Sequence, residues 1–550
     1  MADYEKDLGT IESLLQKVLD ELEDIKSKLS SELPNLIWYD ILPSYSDMKS
    51  GRSLPKKNSA NRRNISVLGS TEVTHMFDMC GFPYEVKPIA QWHDKYSNRN
   101  NLYFIEITQV HLGLERFFEF IPPEALQLCR ENKLAFVWFF PHEAFHFEGL
   151  RETVPGRPGD AGWFERFTDE FFNFDIDRGR HYFVSGDIRV ENAWTEWVTE
   201  RPEKSNLFKN VFGFDYFNHH YFLQYMNRTQ LTFDSDTTIL PIEDYETYGY
   251  LPEAKVRNVF VEPYSLLDDF GDIIEIQDDA DPQHIKSQEV MKDVPGPSHK
   301  IKDLICFNAR VRPHRSVMVS ELSRLGYDND NSHISWLERD QEHMRSKWKD
   351  RCFKELEGVD GKEQWVNSDN AWGELMDTQE SREYFYDFWT NDDRKTICDV
   401  DTGKIDVDDR IIPVDMFRES FFFLITETLF GNNDKDCLQI TEKTYKAIAY
   451  RIPFIVVGSY GTLEHLRTLG YKSFPHMFDE SYDEIPEPDK RMSAICDELK
   501  KWRMLPLEEK KERYRRTTAA LQHNYVHYKN SSPARVAEFR NIFDRLKLHD

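Results

Sequence analysis

The stretch from Phe421 to Ser459, FFFLITETLFGNNDKDCLQITEKTYKAIAYRIPFIVVGS, limits the possible folds more than any other part of the chain. Phe421–Ile425 is an unbroken apolar run, long enough for a strand buried on both faces and too short for a helix. Thr426, Glu427 and Thr428 follow, where a parallel strand would reach its C-terminal edge. After a polar loop, Ile440–Ile448 reads as a helix with Thr441 as its N-cap. Pro453 opens a second apolar run, Phe454–Val457, closed by Gly458. Strand, turn, helix and strand in this order predict a parallel α/β sheet. Such sheets bind ligands outside the carboxyl ends of their strands. That rule gathers Glu427, Glu442, Lys443 and Lys446 toward one crevice. Carboxylates there can hold ribose hydroxyls, and ammonium groups can hold a diphosphate.

The alternation of apolar runs and helical patterns extends through most of the 550 residues, which suffices for two large α/β domains. An apolar share of 40% with 14% aromatics supports packed cores and excludes a disordered chain. Most of those aromatics are expected in the cores. The net charge of −27 excludes a surface that coats nucleic acid generally, though not a local basic groove. Seven cysteines without a C-x-x-C pair read as free thiols in a reducing compartment. No apolar run approaches a membrane span, and the N-terminus is acidic rather than signal-like. A cytoplasmic location with no membrane partner is the expectation.

Residues 1–33 form the first segment, in which 4–32 read as one amphipathic helix with Leu8, Ile11, Leu15, Leu22 and Leu29 on its stripe. It is either a short coiled coil, and so a handle for homo-oligomers, or a helix packed on the next domain. Residues 34–275 read as an N-terminal α/β domain with strands at Asn35–Leu42, Asn64–Gly69, Leu102–Ile107, Leu134–Phe140, His181–Ser185 and Val211–Phe214. Helical stretches are Leu112–Phe118 running on through Pro123–Asn132, and Ala161–Phe172. Lys49–Asn64 is a basic loop. Residues 276–300 read as a linker, and 301–485 as a second α/β domain with a solvated helical insertion at about 336–395. Residues 486–550 read as C-terminal helices.

The pattern of the opening stretch resembles the donor-binding segment of GT-B glycosyltransferases, including the Y-V-T-E-K segment of the α1,3-fucosyltransferases. It is closer to a group of glycosyltransferase-like proteins of tailed phages. Cys306–Arg315 resembles that group's N-R-x-x-R-x-H-R motif. Gly461–Phe474 resembles its G-x-L-x-x-L-x-x-L-G-F-x-T-F segment, and Asp479–Asp483 its D-E-S-Y-D. Together these cover roughly residues 300–500 in the expected order. The resemblance implies two Rossmann-like domains facing a cleft, with a nucleotide sugar as co-substrate. Its implied donor set is Asn308, Arg310, Arg315, Glu427, Thr428, Thr441, Glu442, Lys443 and Lys446. It also implies a C-terminal helix that returns to the first domain. The strand end Glu427-Thr428-Leu429 departs from the fucosyltransferase E-N-S, so sugar and base specificity do not transfer.

The acceptor's general base is expected from the first domain, across the cleft. His142 and Glu143, just past the apolar run Leu134–Phe140, are the leading candidates, and Asp187 is the runner-up. The D-x-D triplets at Asp175, Asp279 and Asp399 are expected by chance among 97 acidic residues, and the Cys and His residues show no zinc spacing, so no metal or other cofactor is expected. The expected activity is sugar transfer to an acceptor hydroxyl. The phage resemblance points to a hydroxylated pyrimidine in DNA. Alternatives are a protein or surface-glycan acceptor, or a non-catalytic virion or scaffold protein that keeps the fold.

Overall fold

The computed structural model describes residues 36–41, 84–86, 101–106, 118, 123–140, 147, 163–176, 181–219, 295–308, 312–328, 330–336, 366, 372–390, 414–430 and 437–546. The expected helix at 4–32, the strand at 64–69, the basic loop at 49–64 and most of the linker lie outside them. So do His142, Glu143 and Arg310.

The first unit contains β1 (Leu36–Ile41), β2 (Tyr84–Val86), β3 (Asn101–Glu106), α1 (Pro123–Arg130), β4 (Leu134–Phe140), α2 (Trp163–Asn173), β5 (His181–Ser185), α3 (Val190–Thr199) and β6 (Phe208–Gly213). Its strands form one parallel sheet in the order β2-β1-β3-β4-β5-β6. Strand β4, LAFVWFF, is buried along its whole length, as a central parallel strand must be. Its side chains alternate between two cores. Leu134, Phe136, Trp138 and Phe140 pack with Phe164, Phe167 and Phe171 of α2 and with Trp194 and Trp197 of α3. Ala135, Val137 and Phe139 face the other way.

The second unit contains β7 (Lys302–Asn308), α4 (Pro313–Arg324), β8 (His333–Trp336), α5 (Gln379–Thr390), α6 (Val414–Glu419), β9 (Ser420–Thr426), α7 (Glu442–Ala449), β10 (Phe454–Val457), α8 (Thr462–Thr468), α9 (Pro488–Met504), α10 (Leu507–Asn530) and α11 (Ser532–Leu546). Its sheet is parallel in the order β10-β9-β7-β8. The molecule is thus α/β with two parallel sheets. No helix among the described residues is long and apolar enough to cross a membrane.

Helix α11 covers the second face of the first sheet. Phe539, Ile542, Phe543 and Leu546 are buried with Val137, Phe139, Val184 and Phe212. Four such side chains at about 1.5–3 kcal/mol each make this return a substantial part of the first unit's core. The C-terminal end of the chain therefore completes an N-terminal sheet.

Two expectations change. The described part of the 336–395 insertion is not solvated: Trp372, Leu375, Met376, Phe385 and Phe388 belong to the second core. The aromatic spacing in α5 makes an apolar stripe that the high charge of the segment conceals. The second core does not end at residue 485, because Met492, Ile495, Leu499 and Trp502 of α9 are buried in it. Past the expected strand His181–Ser185 the chain turns at Gly186, and Val190 begins α3, whose Val190, Trp194 and Trp197 fall on one buried face. Strand β2 is only three residues long, and His333 and Ser335 break the apolar pattern of β8.

Candidate functional site

The carboxyl end of β9 is built around Glu427, which is 1% exposed. Its carboxylate accepts three hydrogen bonds: from Thr441 N at 3.1 Å, from Thr444 Oγ1 at 2.6 Å and from Thr441 Oγ1. An anion at the start of α7 also suits the helix dipole. Thr441 occupies the N-cap position of α7, but its hydroxyl makes no cap bond. It turns to Glu427 instead, so the expected N-cap role is corrected: a buried carboxylate outcompetes the helix's own N–H groups for that hydroxyl.

The other strand ends are tied to the same point. His314 Nε2 lies 2.8 Å from the Glu427 carbonyl. Arg315 donates through Nη2 to the carbonyls of Thr426 at 3.3 Å and Glu427 at 3.1 Å. Burial, followed by the charge of Arg312, lowers the Arg315 pKa to about 10, against the pull of Glu427 and Glu442. Asn308 is buried, accepting from Thr426 Oγ1 at 2.7 Å and donating to the Ser335 carbonyl at 3.3 Å. Asn308, Arg315 and Glu427, expected as donor-binding residues, therefore hold the protein's own strand ends together. Residues of these types at a strand end serve backbone and ligand equally well, and here burial turns them inward.

The less deeply buried side of the cluster belongs to α7, where Lys443 is half-buried and Glu442 is buried. Lys443 Nζ donates to Glu442 Oε1 at 2.7 Å and to Thr441 Oγ1 at 2.9 Å. Glu427, Thr441, Lys443 and Glu442 thus form one connected chain of hydrogen bonds. Burial pushes the Glu442 carboxyl up, but Lys443 and then Lys446 outweigh it and hold it at about 2, against an ordinary 4.5. A depressed folded pKa means stability that is complete above pH 4.5 and is lost as pH falls toward 2. Glu442→Gln should therefore flatten the acid limb of the stability curve between those values, read by urea unfolding at successive pH. Parallel wild-type and variant curves over that window would contradict the pairing. Thr428 is half-buried beside this chain in sequence.

The carboxyl ends of the two sheets meet here. Just past β5, Ile188 N donates to the Leu438 carbonyl at 2.8 Å, and Asp187 Oδ1 accepts from Leu438 N at 2.9 Å. Asp187 Oδ1 also accepts from Arg189 N at 2.9 Å. Asp187 is fully buried and braces the two units, with Oδ1 accepting from the backbone N–H groups of both Leu438 and Arg189. Arg189 crosses to the other sheet, donating to the Tyr460 carbonyl at 2.9 Å with its guanidinium 4.2 Å from that ring's centre. Gly461, at φ +76°, makes room for it: a Cβ there would lie 2.5 Å from Arg189 Nη2.

A second buried contact lies past β6. Asp215 Oδ2 accepts from Tyr445 OH and sits 3.6 Å from His465 Nε2. From α11, Glu538 meets His219 at 3.0 Å, and Arg535 Nη2 donates to Asn218 Oδ1 at 2.7 Å. Asp215 was readable by the rule that singled out Glu427, a carboxylate just past a strand. Arg189 had no such signal. Among the described residues no cluster of three His, Cys, Asp or Glu side chains could hold a metal ion.

The structure thus brings Arg315, Glu427, Thr441, Glu442 and Lys443 into one cluster and places Asp187 at its border with the first sheet. The chain matches no family model, no curated protein and no solved structure.

Proposed function

We propose that this chain is a glycosyltransferase of the GT-B type, moving a sugar from a nucleotide donor to an acceptor hydroxyl. The observation that supports this reading is the Glu442–Lys443 pair, with Lys446, at the carboxyl edge of one parallel sheet where a loop of a second parallel sheet arrives. In this reading Glu442 accepts from the ribose hydroxyls. The ammonium groups of Lys443 and Lys446 face the diphosphate and offset its charge as the sugar leaves. Glu427 acts by holding the start of α7 to β9, and Arg315 by tying α4 to the same strand end. The acceptor's base comes from the first unit, with His142 and Glu143 as candidates. The phage resemblance favours a hydroxylated pyrimidine in DNA as acceptor, and a protein or glycan hydroxyl is the alternative.

The test is hydrolysis of nucleotide sugars by the purified protein, because glycosyltransferases commonly transfer donor sugar to water when the acceptor is missing. Lys443→Ala should weaken nucleotide binding about 10- to 100-fold, the equivalent of one lost charge-assisted hydrogen bond. Calorimetry showing unchanged affinity in a folded variant would remove Lys443 from the site.

A second reading, a non-catalytic scaffold, draws on the inward use of Asn308, Arg315, Glu427 and Asp187. A scaffold would neither bind nor hydrolyse nucleotide sugars.

A further inference from the structure

Most buried polar atoms around the sheet junction have partners within the protein. Gln439 does not: it is 2% exposed, and neither its Nε2 nor its Oε1 is hydrogen-bonded among the described residues. The hydroxyl of Ser459, 5% exposed, is also unbonded among them. So is Nη1 of Arg189, whose Nη2 holds the Tyr460 carbonyl. Buried polar groups are normally satisfied, so each exception calls for an explanation.

These exceptions gather around one loop. The 187–189 loop grips Leu438, the residue before Gln439. Through Arg189 it also grips Tyr460, the residue after Ser459. Consecutive Cα atoms lie about 3.8 Å apart. Gln439 and Ser459 therefore each stand one residue from a contact with the same short loop. Gln439 is also two residues before Thr441, which holds Glu427. Gly458, the residue before Ser459, lies against the Glu427 side chain, where a Cβ would meet the Glu427 Cβ at 3.2 Å.

We propose that Gln439, Ser459 and Arg189 form a subsite for the sugar ring of the nucleotide donor. This subsite rests on the reading under Proposed function and adds the place of the sugar. Hydrogen-bond sense selects the ligand chemistry. The unsatisfied set holds donors at Gln439 Nε2 and Arg189 Nη1, an acceptor at Gln439 Oε1, and the Ser459 hydroxyl, which can be either. A phosphate only accepts, so it would leave Gln439 Oε1 unpaired. Sugar hydroxyls both donate and accept, and adjacent hydroxyls on a ring can meet an amide through both of its polar atoms. Arg189 comes from the first sheet. The subsite therefore exists only while the two sheets are in contact, which couples recognition of the sugar to the arrangement of the units.

The test is calorimetry on wild type, Gln439→Leu and Ser459→Ala, titrated with UDP and GDP and with UDP-glucose, UDP-N-acetylglucosamine, GDP-mannose and GDP-fucose. The expected result is that both variants lose about tenfold or more in affinity for whichever nucleotide sugar wild type binds. Their affinity for the matching diphosphate should stay within about twofold. Gln439→Leu should melt no lower than wild type, since the amide it removes bonds to nothing among the described residues. If wild type binds none of the six compounds, the glycosyltransferase reading fails and this inference fails with it. If wild type binds a nucleotide sugar and both variants match it, that reading stands and the subsite is overturned. Equal losses for diphosphate and nucleotide sugar would place these atoms on the nucleotide and overturn the sugar assignment. A clear drop in the melting temperature of Gln439→Leu would show an amide bonded inside the fold, which also overturns the subsite.

Discussion

Glu427→Ala should destabilise the second unit by about 3–5 kcal/mol, the range for removing one side of a buried charged network. The substitution strands Thr441 N, Thr441 Oγ1 and Thr444 Oγ1 together, because all three donate to this one carboxylate. It also frees the first turn of α7, on which Glu442 and Lys443 stand. Under the proposed function, nucleotide affinity should therefore fall with stability. Glu427→Gln separates two roles. A carboxamide keeps one acceptor oxygen, so a structural Glu427 predicts a smaller loss of stability and a correspondingly smaller loss of affinity. A ligand-contacting Glu427 predicts lost affinity at unchanged stability. Urea unfolding and calorimetry on the same preparations decide between them.

Arg491→Met should be of similar size, about 3–5 kcal/mol, for a different reason. Arg491 is 2% exposed and donates to four carbonyls: Gly458 at 3.1 Å, Ile485 at 2.6 Å, Pro486 at 2.9 Å and Phe430. Its guanidinium also lies 4.5 Å from the centre of the Phe430 ring. One side chain on α9 thus fastens the loops that follow β9 and β10, the two that flank the candidate site. Methionine keeps the apolar stem and removes every donor, so the loss reports the hydrogen bonds rather than packing. Arg491→Lys should fall between, since a single ammonium cannot span the four acceptors. A change below about 1 kcal/mol for Arg491→Met, by urea unfolding, would show that these carbonyls find other partners.

Much of the fold was legible where local pattern and tertiary demand coincide. Leu134–Phe140, His181–Ser185 and Phe454–Val457 are strands with the boundaries read from their apolar runs. Strands buried on both faces can tolerate little else. The meeting of Glu427 with Thr441, Glu442 and Lys443 was legible too. A parallel strand and the helix that follows it place their adjoining ends at one sheet edge, and these residues are at most 16 positions apart.

Only the tertiary structure decided what each of those polar groups does. Glu427, Asn308 and Arg315 have the residue types of a ligand site. Whether a carboxylate or guanidinium faces a ligand or its own backbone depends on which carbonyls and hydroxyls come within about 3 Å of it, and residue type does not encode that. Asp187 and Leu438 are 251 residues apart, and Arg189 and Tyr460 are 271 apart. Contacts at that separation leave no periodicity in the chain. The return of α11 to the first sheet follows the same logic. Its apolar stripe shows that it must be buried, while the face it buries against is set by the uncovered side of β4, β5 and β6. Local sequence determined the elements and the edge where polar residues collect. Long-range packing determined which of those residues brace the fold, because hydrogen-bond satisfaction is a property of the assembled interior.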